Sequence, residues 1–337
     1  MSRTRSAVFA SLLAIAFLAA PTLLHADDLY KGKTVTIIVG FSSGGGYDLY
    51  ARALARFIPD HIPGRPTVIV QNEPGAGSLV AVRSLNVTQP KDGTVMVTFE
   101  PGLITQSISQ PEMVNLDFQK YAWLGVVTPN FEVCYGFGPN GVSAWEDLMH
   151  RKEFILGGTG KGSGTYMEGA MLRDVFDAPV KQIMGFPGSA ERRLAMERGE
   201  LDGDCGDVSS IPPDWLRDDK AHPFVRFNKE RPPEIKESAR FIDDFATTQD
   251  QRELLDVLNA EKEVGRSFMM SAGVPADRLA TLRKAFDDTV KDPAFLAEME
   301  KQRLPVHPMT GEEAGEIVAK MTTISPAIIA GVKKIYE

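Results

Sequence analysis

A short apolar run, a loop built on glycine and then a stretch of helical period follow one another four times along the chain. "TVTIIV" (34–39) leads through "GFSSGGGYD" into "LYARALARFI", and "TVIV" (67–70) leads through "QNEPGAGS" into "LVAVRSL". "FIL" (154–156) leads through "GGTGKGSG" into "TYMEGAMLRDVF", and "VKQIM" (180–184) leads through "GFPGSA" into "ERRLAMERG". Repeated strand-loop-helix units of this kind predict an α/β protein with parallel strands. Capping-box spacing at Thr165 with Glu168, Ser143 with Glu146, and Thr310 with Glu313 marks three helix starts.

The loops carry the candidate chemistry. At the carboxyl end of a parallel strand a glycine turn lets the backbone approach a ligand, and the next helix presents unpaired N–H groups and the positive end of its dipole. Such a turn is an anion site in waiting, and several facing one crevice could hold a carboxylate without any arginine. A single glycine loop is more often a chain reversal only. Two loops as long as 41–48 and 157–164 shift the balance toward binding. The aromatic residues flanking them, Phe41, Tyr47, Phe99, Tyr166 and Phe186, could line an apolar slot, although any one of them is more often core.

The N-terminus changes the compartment. Arg3 and Arg5 precede an uncharged apolar run from Ser6 to Leu24, and the chain turns charged after Ala26, which is the order of a secretory signal peptide. Removing residues 1–26 takes away two of the 37 basic residues and none of the 45 acidic ones, leaving a net charge of −10. That balance excludes nucleic acid and anionic membrane surfaces as expected partners, but not a small anion held by local dipoles. The remaining length, roughly 310 residues, suits two domains. Cys134 and Cys205 are the two cysteines, and an oxidising compartment permits them to pair; a reactive thiol or metal site is the alternative.

Enzymatic motifs fail on inspection. "GTGKGSGT" (158–165) lacks the GK[ST] of a phosphate loop, "GGGYDL" (44–49) lacks the last glycine of a dinucleotide fingerprint, and "GKGSG" has the wrong order for a nucleophile elbow. The five histidines show no metal-ligand spacing. The carboxylates of "LDGDCGD" (201–207) read as a polar strand edge or turn before a metal or acid/base site. No cofactor is implied. Asp48 is expected to tie the first loop through its backbone rather than meet the ligand. Lys161 could face a ligand or solvent, and of the adjacent Arg192 and Arg193 at least one is expected at the surface.

Several segments together resemble the substrate-binding proteins of tripartite tricarboxylate transporters, the Bug family, over essentially the whole mature length. They are "YKGKTVTIIVGFSSGGGYDLYARALA" (30–55), "VIVQNEPGAGS" (68–78), "GTGKGSGTYMEGAML" (158–172), "GFPGSAERRLAMERGELD" (185–202) and "FMMSAGVPADRLATLRKAF" (268–286). The resemblance implies a type II periplasmic binding protein: two α/β lobes joined by two crossovers, closing on a ligand in the cleft between them. It implies a first lobe of 27–130 and 228–337 and a second of 131–227. Its implied contacts are Phe41, Ser42, Ser43, Gly44, Gly45, Gly46 and Asp48, with Asn72, Gly75, Ala76 and Gly77, from the first lobe. Gly160, Gly162, Ser163, Tyr166, Gly188 and Ser189 are those of the second. Tyr166 stands where family members commonly carry His, and Phe186-Pro187-Gly188 replaces a Tyr-Lys-Gly turn. The implied function is capture of a small organic acid by a periplasmic monomer for a membrane permease. A protein feeding a membrane sensor kinase and a secreted enzyme on the same fold are the competing readings.

Overall fold

The computed structural model describes residues 29–336, so the signal peptide expected at 1–26 lies outside the described residues. Two six-stranded sheets organise the chain. In chain order the first receives β1 (Thr34–Val39), β2 (Thr67–Asn72), β3 (Val95–Thr98) and β4 (Ala122–Val126). The second is built from β5 (Glu132–Phe137), β6 (Phe154–Gly158), β7 (Val180–Met184), β8 (Gly203–Asp207), β9 (Ala221–Arg226) and β10 (Arg240–Phe241). The chain then returns to the first with β11 (Ser267–Met270) and β12 (Met309–Thr310). The strand orders are β12-β4-β11-β3-β1-β2 and β10-β9-β5-β8-β6-β7.

The apolar runs read in the sequence form strands because helices cover both their faces. Val35, Ile37 and Val39 pack with Tyr50, Leu54 and Phe286 on one side of β1, while Ile38 packs with Val97, Phe99 and Leu103 on the other. Alternate residues of a strand point to opposite faces, so β1 is apolar at four of its six positions, Val35, Ile37, Ile38 and Val39. β2, at the sheet edge, alternates exposed and half-buried positions instead.

The sheets are mixed rather than parallel throughout. β1 pairs in parallel with β2 and β3, and β6 with β7 and β8. β11 runs antiparallel between β3 and β4, and β5 antiparallel between β8 and β9. These reversed strands are where the chain arrives from the other lobe, so no crossover helix sets their direction. Cys134 on β5 stands opposite Cys205 on β8, and the two are joined by a disulfide.

The chain passes between the sheets at 127–131, at 261–266 and a third time at 322–325, one passage more than the resemblance implies. Residues 228–260, read in the sequence as part of the first lobe, pack on the second sheet. β10 pairs with β9, and the helix Gln249–Ala260 buries Leu255 and Leu258 among Phe154, Leu156 and Phe224. The last helix, Pro326–Tyr336, joins the same core through Val332, Ile335 and Tyr336. These segments are helical and amphipathic, and nothing local in such a pattern says which sheet it covers.

Of the three capping boxes expected, Thr310 with Glu313 forms. Thr165 instead lies inside the helix Gly164–Phe176, where its hydroxyl meets Ser163 and the Thr159 N–H, while Glu168 turns to Lys262. Ser143 pairs with Asp147 rather than Glu146. A further box, Thr248 with Gln251, opens the helix Gln249–Ala260. Among the described residues no helix is long and apolar enough to cross a membrane.

Candidate functional site

The carboxyl ends of β1, β3, β6, β7 and β8 all point to the seam between the sheets. This is where open α/β sheets place their ligands, because the loops there are free to diverge. A cavity of about 40 Å³ lies in the seam. Phe41, Gly45, Gly46, Tyr47 and Glu100 come to it from the first sheet, and Arg266 from the passage at 261–266. Glu132, Thr159, Ser163, Thr165, Ser189, Arg192, Gly206, Asp207 and Ser210 come from the second. Three helices begin at this wall: Gly46–Phe57, Gly164–Phe176 and Ser189–Glu197. Their caps at Gly45, Ser163 and Gly188 make no side-chain bond to the helix, and in the helix Gly164–Phe176 the Tyr166 N–H already donates to the Ser163 carbonyl at 3.0 Å, so it is the leading N–H groups of each helix that face the cavity.

The residues expected at the site divide into those on the cavity wall and those that hold the wall in place. Phe41, Gly45, Gly46, Ser163 and Ser189 line the cavity. Asp48 ties the first loop, as expected from its position: it accepts from the Gly44 N–H and from Asn72 Nδ2, each at 2.9 Å, and from Arg52 Nε at 2.8 Å. Those partners hold its carboxyl below the usual range despite burial, which acts the other way. Asn72 also donates to the Phe41 carbonyl at 2.9 Å. Ser43 and Gly44 are exposed at the rim.

The remainder of the expected set forms the contact between the lobes. The Ser42 N–H donates to the Pro187 carbonyl at 3.2 Å and its hydroxyl to Glu191 at 2.7 Å. Arg193 donates to the Gly44 carbonyl at 3.0 Å, so its half-buried guanidinium joins the lobes while its neighbour Arg192 is buried on the cavity wall. The turn Gly75-Ala76-Gly77, all at positive φ, presses on the loop 160–163. A Cβ on Gly160 would stand 2.4 Å from the Gly77 nitrogen, and one on Gly188 would stand 2.2 Å from Ser42 Oγ. Gly162 is packed against Leu103 and Gln106. At Gly160 glycine therefore allows two backbones to approach closely, a different reason from chain reversal, whereas at Gly162 and Gly188 the close neighbours are side chains.

Two expectations are corrected, and one is narrowed. Tyr166 is absent from the cavity wall: its ring stacks on Tyr336 and its hydroxyl donates to the Ile335 carbonyl at 2.8 Å, inside the second core. Lys161 is exposed, the second of its two expected settings, and its ammonium donates to the Tyr336 carbonyl at the end of the last helix. The aromatic slot reduces to Phe41 and Tyr47, stacked with ring centroids 4.9 Å apart; Phe99 packs on Phe118, and Phe186 against the second lobe's smaller core.

The cavity is also far more charged than glycine loops suggest. "GDCGD" is an interior strand, β8, rather than an edge, and its acids are buried in ion pairs. Arg192 Nε lies 2.9 Å from both oxygens of Asp204, and Arg266 Nη2 lies 2.6 Å from Asp207. The Arg266 guanidinium also sits 3.9 Å over the Tyr47 ring. Behind the wall, Lys262 Nζ stands 2.9 Å from Glu168. Burial pushes Glu100 up to about 8, against the pull of Arg266, and pushes Glu261 up to about 7, against Lys262. Glu132 is raised as well, by burial and by Glu168 and Glu100.

A carboxyl group whose folded-state pKa exceeds its unfolded value binds its proton more tightly when folded. Its contribution is full below about 4.5 and is lost as pH rises through 7 to 8. The melting temperature is therefore expected to be higher at pH 5 than at pH 8.5, by an amount worth on the order of a few kcal/mol. Glu261→Gln should flatten that slope, and an unchanged slope in thermal melts across this range would contradict the assignment.

Sequence reasoning missed Glu100, Glu132, Thr159, Thr165, Gly206, Asp207, Ser210 and Arg266 as wall residues. A usable signal existed for two of them. Glu100 follows the buried run "VMVTF" directly, and Arg266 directly precedes "SFMM", so each places a charge at the end of a strand that has no exposed face.

No family model matches the chain. A curated protein encoded in the ttuE-ttuC' intergenic region of Agrobacterium vitis, a UPF0065 protein, is 22% identical over 236 residues, 68% of this chain and 66% of its own length. Protein BugT of Bordetella pertussis is 41% identical over 81 residues, 24% of this chain and 23% of its own. The matched stretches thus span just under two thirds of the first relative and about a quarter of the second. Among solved structures, the periplasmic binding protein BugD aligns over 91% of this chain and 98% of its own, with TM-score 0.75 and 19% identity. A Rhodopseudomonas palustris protein solved with adipate covers 90% and 97% at TM-score 0.71 and 15% identity. MatC from the same organism, solved with bound malate, covers 90% and 99% at TM-score 0.67 and 16% identity. The fold is that of the periplasmic binding proteins, two α/β lobes with a cleft between them. In sequence the chain is similar to proteins named UPF0065 and Bug.

Proposed function

We propose that the chain is a periplasmic solute-binding protein that captures a small organic acid by closing its two lobes, and delivers it to a membrane permease of the tripartite tricarboxylate type. The observation that carries this reading is the meeting of three helix N-termini and two arginines on one cavity between the sheets. Unpaired N–H groups and dipole ends favour an anion there, and a guanidinium suits a carboxylate. Malate and adipate in two proteins of the same fold support an acid as the ligand.

The passages at 127–131 and 261–266 act as the hinge, with 322–325 following. A ligand touching both walls adds its differential affinity to the contacts at Ser42, Gly44 and Gly160 and so favours the closed form, which the permease reads. The structural neighbours named above are binding proteins, and this role needs no covalent step. The protein works as a monomer in this scheme.

A melting-temperature screen of residues 27–337 against carboxylates, amides and sugars tests it. An acid at 100 times its dissociation constant should add about 2.7 kcal/mol and raise the melting temperature by a few degrees. Stabilisation by sugars or amides alone, with no response to any acid, would end the proposal.

A further inference from the structure

Two buried carboxyls face each other across the seam, and the following step takes from the capture reading only that the lobes part and close. Glu100 comes from the first lobe, two residues beyond β3, and Glu132 opens β5 in the second. An ideal Cβ on Gly164 would stand 3.5 Å from Glu100 Oε1 and 3.4 Å from Glu132 Oε1, so the two carboxyls meet at one point of the seam. Both line the cavity, at 7% and 3% exposure. Glu100 accepts from the Tyr47 hydroxyl at 3.1 Å and from Asn130 Nδ2 at 3.5 Å. Glu132 Oε2 meets no protein donor among the described residues.

The surrounding charges do not neutralise the pair. Lys262 stands 2.9 Å from Glu168, Arg266 2.6 Å from Asp207 and Arg192 2.9 Å from Asp204, so each nearby cation is committed to another acid. Glu168, on the helix Gly164–Phe176, and Glu261, on the passage between lobes, add negative charge behind the wall. The phenols of Tyr47 and of Tyr336 on the last helix are kept neutral, first by burial. Two carboxylates held together in a buried site cannot both ionise without cost. Burial pushes Glu100 up to about 8 against the pull of Arg266, and raises Glu132 as well. When the lobes part, Glu100 leaves with the first and Glu132 with the second. Water then reaches both, and separate hydrated carboxyls ionise near their ordinary value of about 4.3.

We propose that the lobes close with uptake of one proton, shared by Glu100 and Glu132 across the seam, which makes the proton a co-ligand of the closed form. The closed arrangement binds that proton more tightly than the open one, so acid favours closure and alkali favours parting. The window runs from the ordinary carboxylate range of the open form up to about 8, where Glu100 of the closed form loses its proton. Within it, linkage makes the ratio of closed to open molecules rise about tenfold for each pH unit lowered. The pair is a pH-sensitive latch built into the cleft, and a solute that touches both lobes is held less tightly as the pH rises toward 8.

Energy transfer between dyes on cysteines introduced at Val87 and Met149, exposed on the first and second lobes, reads closure in the mature chain with protons as the sole effector. Lowering the pH from about 8.5 to about 6 should raise the closed-to-open ratio about tenfold or more. Glu132→Gln, which cannot ionise, should hold the closed fraction at the higher pH near the parent's value at the lower one. The double variant Glu132→Gln with Glu100→Gln should show no pH response. Glu100→Gln alone guards against a folding defect in the first variant, and thermal melts check all three. A population that is the same at both pH values, or a pH response that survives the double variant, would overturn the shared proton. Malate and adipate, each added at the higher pH, keep that failure distinct from a failure of capture. Closure by either acid in a chain without a pH response would overturn the latch and leave capture by closure intact, whereas a pH response without closure by either acid supports the latch on its own.

Discussion

Gly160→Ala is expected to weaken ligand capture about 100-fold while leaving the unliganded protein folded. Gly160 has no positive φ, so an alanine there strains nothing in its own lobe. In the closed arrangement, however, the added Cβ would lie 2.4 Å from the Ala76 carbonyl carbon and from the Gly77 nitrogen. Both are backbone atoms of the opposite lobe, and no rotamer change can remove them. The lobes must part by more than an ångström, which separates the two walls that a small ligand has to touch together. Titration with the acid selected by the melting screen reads the effect. An affinity within threefold of the parent would mean that the contact at Gly160 is not part of the bound state.

Arg266→Met is expected to cost about 3–5 kcal/mol of stability, the range found when one partner of a buried ion pair is removed. Arg266 is 1% exposed, pairs with Asp207 at 2.6 Å and lies over the rings of Tyr47 and Tyr50. Methionine fills much of the same volume, so the loss falls on Asp207, which is left buried without its cation. Urea unfolding should therefore show the double variant Arg266→Met with Asp207→Asn recovering a large part of the deficit, because neighbouring groups in one network do not add. A single variant within about 1 kcal/mol of the parent would contradict a structural role for the pair. Arg266 sits on a passage between the lobes and Asp207 at the end of β8, so this pair joins that passage to the cavity wall.

The fold was legible where local pattern and tertiary position agree. β1, β2, β6 and β7 each occupy the apolar run read in the sequence, and the helices after their glycine loops begin within a few residues of the expected start. Asp48 was legible because its partners Gly44 and Arg52 are four residues away on either side. The placement of 228–260 and of the last helix was not, since an amphipathic helix specifies that it must be covered but not by which sheet. The charged wall was hidden for a related reason. Glu100, Glu132 and Arg266 are separated by more than thirty residues each and meet only because two sheets face one another. "LDGDCGD" looked like a polar edge because the arginines that neutralise it, at 192 and 266, stand outside its neighbourhood in the sequence.

The charged wall also revises the electrostatic argument. Glycine loops alone could hold a carboxylate without arginine, yet the cavity has two arginines whose charges are already shared with Asp204 and Asp207. In the proposed capture, an anion would therefore be held by helix N-termini acting together with partly spent guanidinium groups.

Capture by closure is the central claim, and the distance between the lobes measures it most directly. Spin labels on cysteines introduced at Val87 and Met149, exposed residues of the first and second lobes, report that distance without touching the cavity or the native disulfide. Adding the acid that stabilises the protein most should shorten and narrow the distance distribution, and Gly160→Ala should prevent the change. A distribution that stays the same while calorimetry shows the acid bound would contradict capture by closure.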